Sequence, residues 1–335
     1  MVSSPVFASS SQHVTTLNES LEKDSNAVYC PIFYFIWDIL KEKIVKENKI
    51  EFQEPSDFIK FLNNSSYSAD NFLKEYFWAD IILGYEGFDI NNYIKEKNKE
   101  KFQEDIKELE QKFKEYDAVG YSAFFKNIFF YFKFYEIEKG IDFFSETGYV
   151  KNVPAFGLIE YKTDYDWDIS NQINILDFIN DDDFIIKINL PDKDVDLILA
   201  KIPKKDNFDL MWKDCLGRIN NNKLDSFHKG YSIIIPKVEF YRDEDFPGIK
   251  GKGLLNKEKQ GWFFSAFITQ IGFQMNNLGI KDMAGQGNFV LTRNIYLQEK
   301  EAKDIKRFIF DKPFLIALRK KGQAEPFFLL WINNI

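Results

Sequence analysis

Apolar residues follow two different patterns in the first third of the chain. Residues 28–37 are apolar on all sides, which is typical of a segment buried in a core. Farther along, Phe102, Ile106, Leu109 and Phe113 recur at helical spacing with charged residues between them. This second pattern predicts an amphipathic surface helix.

Beyond that segment, the apolar runs become short and favour a period of two. We predict strands at residues 124–134, 173–178, 184–190, 231–240, 314–318 and 327–332. The last two of these strands, joined by residues 319–323, have the sequence pattern of a β-hairpin. Turn-forming residues at 146–148 and 181–183 separate strands, and Asp164, Asp166 and Asp168 alternate with aromatic residues as on the solvated face of a strand. Early helices followed by strands indicate an α+β fold with large, mostly antiparallel sheets.

Charge and length restrict the class of partner. The net charge of −8 and a pI near 5.1 argue against a nucleic-acid partner. The longest apolar stretch, residues 123–135, is broken by Lys126 and Lys133, so no membrane span is expected. Residues 1–12 lack the pattern of a signal peptide, which fits either a cytoplasmic protein or an exported one whose signal has been removed. We expect a flexible tail at residues 1–20 and a single domain at residues 21–335.

Few residues are suited to catalysis or metal binding. The chain has two histidines, and residues 225–228 combine Asp, Ser and His only as sequence neighbours, whereas catalytic triads come from distant elements. The acidic run 181–183 lacks the ligand spacing of a calcium loop. Cys30 and Cys215 are expected to be buried free thiols. We therefore predict no catalytic residues, no metal and no cofactor.

The C-terminal segment, residues 308–319, resembles the serpin signature through Asp311, Pro313 and Phe314. Further segments resemble serpin motifs in family order, at residues 26–32, 77–90, 144–154, 185–192, 233–238 and 277–282. Together they extend over nearly the whole chain. The resemblance implies a serpin-like fold in which Asp311 and Pro313 open a last, buried hairpin containing Phe314.

The chain departs from the family pattern before the signature. In serpins, the motif that residues 277–282 resemble is followed by a pairing strand and then by a long reactive-centre loop. Here only residues 289–307 are available for both. A predicted strand at residues 294–298 uses part of that span. The remaining candidate loop is charged and consists of Glu299, Lys300, Glu301, Ala302, Lys303, Asp304, Ile305, Lys306 and Arg307. Inserting it into a sheet would bury charge, so trapping of a protease is predicted to be blocked.

A second deletion, between Phe113 and Ala118, predicts a main sheet with fewer strands or an altered cover. The sequence therefore favours a non-inhibitory scaffold that binds a protein partner, for which a protease is one candidate. The alternative is a serine or cysteine protease inhibitor that offers Lys306 or Arg307 from a short loop, or that blocks by occlusion. An enzyme is disfavoured, and the oligomeric state stays open.

Overall fold

The computed structural model describes residues 12–64, 76–102, 109, 111–159, 163–246, 248–279 and 305–335. Its helices are α1 (Ile32–Ile39), which continues as a π-helix (Leu40–Val45), α2 (Asp57–Asn64), α3 (Ile90–Phe102), α4 (Asp164–Asn171), α5 (Phe208–Asn221) and a 3-10 turn (Lys257–Lys259). Its strands are β1 (Gln12–Val14), β2 (Asn26–Tyr29), β3 (Phe77–Leu83), β4 (Ala118–Phe130), β5 (Tyr135–Phe144), β6 (Val150–Leu158), β7 (Ile173–Asn180), β8 (Asp183–Asn189), β9 (Val195–Lys201), β10 (Asp225–Ser226), β11 (Ser232–Pro236), β12 (Val238–Asp245), β13 (Ala266–Gly279), β14 (Arg307–Ile309), β15 (Phe314–Lys320) and β16 (Pro326–Ile332).

The chain divides into two compact units. The first unit contains residues 1–29, 127–239 and 274–335, and the second contains residues 30–126 and 240–273. The expectation of one domain over residues 21–335 stays a prediction. Of the proposed tail, residues 1–11 lie outside the described part, whereas Gln12–Val14 pairs with β2 in a parallel register.

The first unit contains an eight-stranded sheet in the order β1-β2-β16-β15-β9-β8-β7-β10. Its interior strands β9 and β16 are buried along their whole length. β16 carries an unbroken apolar run, whereas the charged residues of β9, Asp196 and Lys201, form ion pairs. One face packs on α5, whose N-terminal Asn207 side chain accepts a hydrogen bond from the Leu210 amide. The predicted hairpin is confirmed as β15 and β16, which pair antiparallel.

A four-stranded sheet, in the order β14-β11-β6-β5, also belongs to the first unit. β11 pairs antiparallel with β6 and parallel with β14. Gly157 of β6 requires the absence of a side chain, because a Cβ atom there would lie 2.0 Å from the Ile233 carbonyl oxygen. β14 lies at one edge of this sheet and β5 at the other.

The second unit contains most of the sheet β12-β13-β4-β3, in which β3 and β4 pair antiparallel. Helix α3 packs on this sheet through Ile90 and Ile94, which join a buried apolar cluster with Val119, Tyr121 and Ile268. The expectation of fewer strands or an altered cover stays a prediction. The short turn at residues 114–117 leads directly into β4.

Helices are concentrated in the first third and strands follow, so the predicted α+β class is confirmed. Three local predictions were wrong. Asp164, Asp166 and Asp168 lie in α4 because Thr163 and Asp166 form a reciprocal capping box that starts a helix. The run 231–240 is two strands in different sheets, separated at Lys237. Phe113 is not helical, and α3 ends at Phe102, although Leu109 and Phe113 do pack against the same apolar cluster.

Within the described residues, no helix is long and apolar enough to cross a lipid bilayer.

Candidate functional site

β4 and β13 are neighbouring strands that run in the same direction. The Ser265 amide donates to the Ala118 carbonyl oxygen, Ser122 contacts Thr269, and the Phe125 ring lies over Gly272. The contacts advance together along both strands, which defines a parallel pair. We call residues 118–125 and 265–272 the β4–β13 seam.

Side chains close the seam on both of its faces. The Ser122 and Thr269 hydroxyl oxygens are 2.8 Å apart, and both residues are fully buried. At two glycines, an aromatic ring from the opposite strand packs over the backbone: Phe267 lies over Gly120, and Phe125 lies over Gly272. A Cβ atom at either glycine would lie 2.3 Å from the ring, so each ring lies directly against backbone.

A buried polar network crosses the seam beneath α3. The Tyr121 hydroxyl donates to Gln270 Oε1, and Asn98 Nδ2 of α3 donates to the Tyr121 oxygen at 2.7 Å and to Gln270 Oε1 at 3.2 Å. Gln270 Nε2 in turn donates to the Tyr241 hydroxyl and, at 3.0 Å, to Asp243 Oδ1. Burial raises the pKa of Tyr121 and of Tyr241 well above the usual tyrosine value, so both remain neutral hydroxyls.

The chain between β13 and β14 comprises residues 280–306. β13 ends at Gly279, inside the segment 277–282 that resembles a serpin motif. That a second pairing strand follows this segment stays a prediction.

The candidate loop residues lie at the end of this connection. Glu299, Lys300, Glu301, Ala302, Lys303 and Asp304 are outside the described residues, as is the strand predicted at 294–298. Ile305 is 68% exposed. Lys306 precedes β14, and Arg307 is the first residue of that strand.

The signature residues open the buried hairpin as predicted. Phe314 is fully buried at the start of β15, and Leu315, Phe328 and Trp331 are buried with it. Asp311 Oδ1 accepts a hydrogen bond at 2.7 Å from Lys201 Nζ, whose side chain is only 3% exposed. Lys201 also reaches Asp182 in the β7–β8 turn, and Asp182 pairs with Lys312. Pro313 directly precedes β15, so the signature is a structural junction.

The sequence neighbours Asp225 and His228 do pair, with 3.1 Å between Asp225 Oδ1 and His228 Nε2. Ser226, which lies between them in β10, is exposed. Among the described residues, no group of three or more His, Cys, Asp or Glu side chains is arranged to hold a metal ion. Cys30 and Cys215 are buried free thiols as expected, and burial raises the pKa of both.

Sequence reasoning missed the residues of the seam. Residues 266–273 are rich in aromatic and β-branched side chains, and this signal predicts a strand. The pairing of Tyr121 with Gln270, or of Ser122 with Thr269, has no local signal because the partners are far apart in the chain.

Neither a family model nor a curated protein sequence matches the chain. Solved structures that match include Serpin48 of the insect Tenebrio molitor (14% identity, TM-score 0.47). Protease nexin-1 with heparin (12%, 0.48) and a tumour-suppressing serpin (14%, 0.44) also match. Each match spans 73% of this chain but only 64% of the other, and at these identities the likeness extends to the fold alone. In fold, the chain is similar to serpins, the family that its sequence motifs resemble.

Proposed function

We propose that this chain is a serpin-fold scaffold that binds a protein partner and does not inhibit proteases by inserting a strand. The observation that carries the proposal is the closed β4–β13 seam. A parallel pair of strands is the place where a further strand, antiparallel to both, can enter a sheet. In this protein, the same place is occupied by side-chain contacts that an entering strand must break.

Breaking the seam leaves polar groups without partners. Ser122 would part from Thr269, and Gln270 would part from Tyr121. Each buried polar group that loses its hydrogen bond costs about 1–3 kcal/mol unless the entering strand replaces the bond. Asn98 bridges Tyr121 and Gln270 from α3, so the covering helix would have to move as well.

The second candidate is a protease inhibitor that works by strand insertion. The observation that favours it is the parallel orientation of the seam strands, since a strand antiparallel to both could enter between them.

A covalent-trapping experiment separates the two candidates, because insertion traps the acyl-enzyme whereas simple binding leaves no bond. The full chain is incubated with trypsin-, chymotrypsin-, subtilisin- and papain-like proteases and analysed on denaturing gels. We expect no denaturant-resistant complex with any of them. The same incubation with an active-site-blocked form of each protease identifies bands that form without acylation of the protease. One covalent band specific to an active protease would overturn the scaffold proposal in favour of the inhibitor.

A further inference from the structure

Lys306 is bound by the first unit at the point where the connection ends. Its Nζ atom lies 3.7 Å from Asp225 Oδ2, 5.0 Å from the centre of the Phe178 ring and 5.6 Å from the centre of the Tyr231 ring. These contacts come from β10, from β7 and from the residue before β11, so three separate segments converge on one ammonium group. Its side chain is 25% exposed, although the preceding residue is largely in solvent.

The backbone is bound at the same position. The Lys306 carbonyl oxygen accepts a hydrogen bond at 3.3 Å from the Ser232 amide, and Arg307 lies opposite Ser232 in the parallel pairing of β14 with β11. Phe308 follows and is fully buried, with its ring against Phe178 and Tyr231, which also contact Lys306. The chain is therefore attached through side chain and backbone from Lys306 onward.

We propose that Lys306 anchors the chain where it enters β14, with Asp225 as the residue that positions it, so that neither Lys306 nor Arg307 is offered to a trypsin-like pocket. The anchor rests on the contacts of Lys306 alone and does not depend on the proposed function. A protease binds its target as an extended segment with one side chain in a deep pocket. Lys306 could meet that requirement only by leaving the carboxylate and both rings, and Arg307 only by leaving β11.

Asp225 is suited to the positioning role because it faces two cationic or polar partners. Its Oδ1 atom is 3.1 Å from His228 Nε2, and its Oδ2 atom faces Lys306. The His228 ring also packs edge-on against Tyr231, 5.5 Å between centres. The carboxylate is thereby oriented on one side by His228 and presents its other oxygen to the anchor.

Site-resolved trypsin digestion of the native full chain tests the anchor, with cut sites quantified by mass spectrometry. Lys321, in the exposed β15–β16 turn, is the internal reference site. In the wild-type protein we expect cleavage after Lys306 and Arg307 to be slower than cleavage after Lys321. Asp225→Asn should raise cleavage after Lys306 about two- to fivefold, the range expected for loss of a partly exposed ion pair.

Two changes at Lys306 separate its charge from its bulk. Lys306→Ala should raise cleavage after Arg307 about fivefold, because the ion pair and both ring contacts are lost. In Lys306→Arg, the rate of cleavage after Arg307 should stay within about twofold of the wild-type rate, since arginine can make the same contacts. Lys223→Ala, an exposed change two residues before Asp225, is the matched control and should alter neither rate. Melting temperature and cleavage after Lys321 should stay unchanged in all variants.

Three results would overturn the anchor: wild-type cleavage after Lys306 or Arg307 as fast as after Lys321, unchanged cleavage in both Asp225→Asn and Lys306→Ala, or an arginine variant as sensitive as the alanine variant. A covalent protease complex formed at a bond before Ile305 is a different outcome. It would overturn the scaffold proposal and would leave the anchor in place.

Discussion

Phe314 packs edge-to-face and tilted against two other rings at the start of β15. The centres of the Phe314 and Phe310 rings are 5.0 Å apart, and those of Phe314 and Phe143 are 6.4 Å apart. Because Phe314 is fully buried, Phe314→Ala removes its transfer free energy and leaves a cavity. We expect a loss of about 3–5 kcal/mol in the free energy of unfolding, measured by urea denaturation.

Phe144→Ala is the matched control, since Phe144 is 42% exposed and lies at the end of β5. It should change the unfolding free energy by less than about 1 kcal/mol. An equal effect of the two substitutions would contradict the special role of the buried ring.

Lys201 connects the β7–β8 turn to the signature segment, and this makes acid stability sensitive to Asp182. Hydrogen bonds from Lys201 and Lys312 hold the pKa of Asp182 below its ordinary value of 3.8. A carboxylate with a depressed pKa in the folded state stabilises the fold above its ordinary pKa, and that contribution disappears as the pH falls through the folded pKa. We therefore expect stability to fall as the pH is lowered from about 5 to 3, and to fall less steeply in Asp182→Asn.

Urea unfolding at pH 5, 4 and 3 measures this difference in slope. Asp194→Asn, a change in the β8–β9 turn, serves as the comparison and should follow the wild-type profile. Identical profiles for wild type and Asp182→Asn would show that this network contributes nothing to acid stability.

At the scale of elements, the seam depends on the absence of a side chain at Gly120. The Phe267 ring that lies over it is fully buried and contacts the Trp37, Phe246 and Phe264 rings, so it has no free space into which to move. Gly120→Ala should therefore destabilise the fold by about 1–3 kcal/mol, the usual cost of overpacking.

Gly217 of α5 provides the opposite case, because a Cβ atom there meets nothing within 4 Å. Gly217→Ala should stabilise the protein by about 0.5–1 kcal/mol through helix propensity alone. Urea denaturation of the wild type and of the two variants measures both changes in the free energy of unfolding. A neutral or stabilising Gly120→Ala would mean that the ring does not lie tightly on β4.

At the scale of the whole molecule, the closed seam predicts how the protein responds to a cut in residues 280–304. If no strand enters between β4 and β13, cleavage relieves no constraint and adds no strand. The melting temperature of the cut chain should then stay within about 2 °C of the intact value, a shift that corresponds to about 1.4 kcal/mol or less. Scanning calorimetry before and after limited proteolysis measures it.

A parallel incubation with active-site-blocked protease controls for any change in melting temperature that does not come from cleavage. A large rise in melting temperature after cleavage would indicate that the released segment has joined the sheet, and it would favour the inhibitor candidate. A large fall would instead show that the connection contributes to the stability of the intact fold.

The α+β class, the buried hairpin and the burial of Phe314 could all be predicted from the sequence. These features follow from local rules: unbroken apolar runs predict buried strands, and an Arg-Lys-Lys-Gly turn between two such runs predicts a hairpin. Local rules failed where two patterns overlap. Alternating Asp and aromatic residues suited a strand at 164–168, but the Thr163 cap selected a helix.

Which strands are neighbours is visible only in the folded structure, and this changed the functional interpretation. The position of β13 between β12 and β4 creates the seam. Lys306, which looked like an exposed loop residue in sequence, is bound by Asp225, Phe178 and Tyr231. Such contacts join residues that are distant along the chain, and no local period or propensity carries information about them.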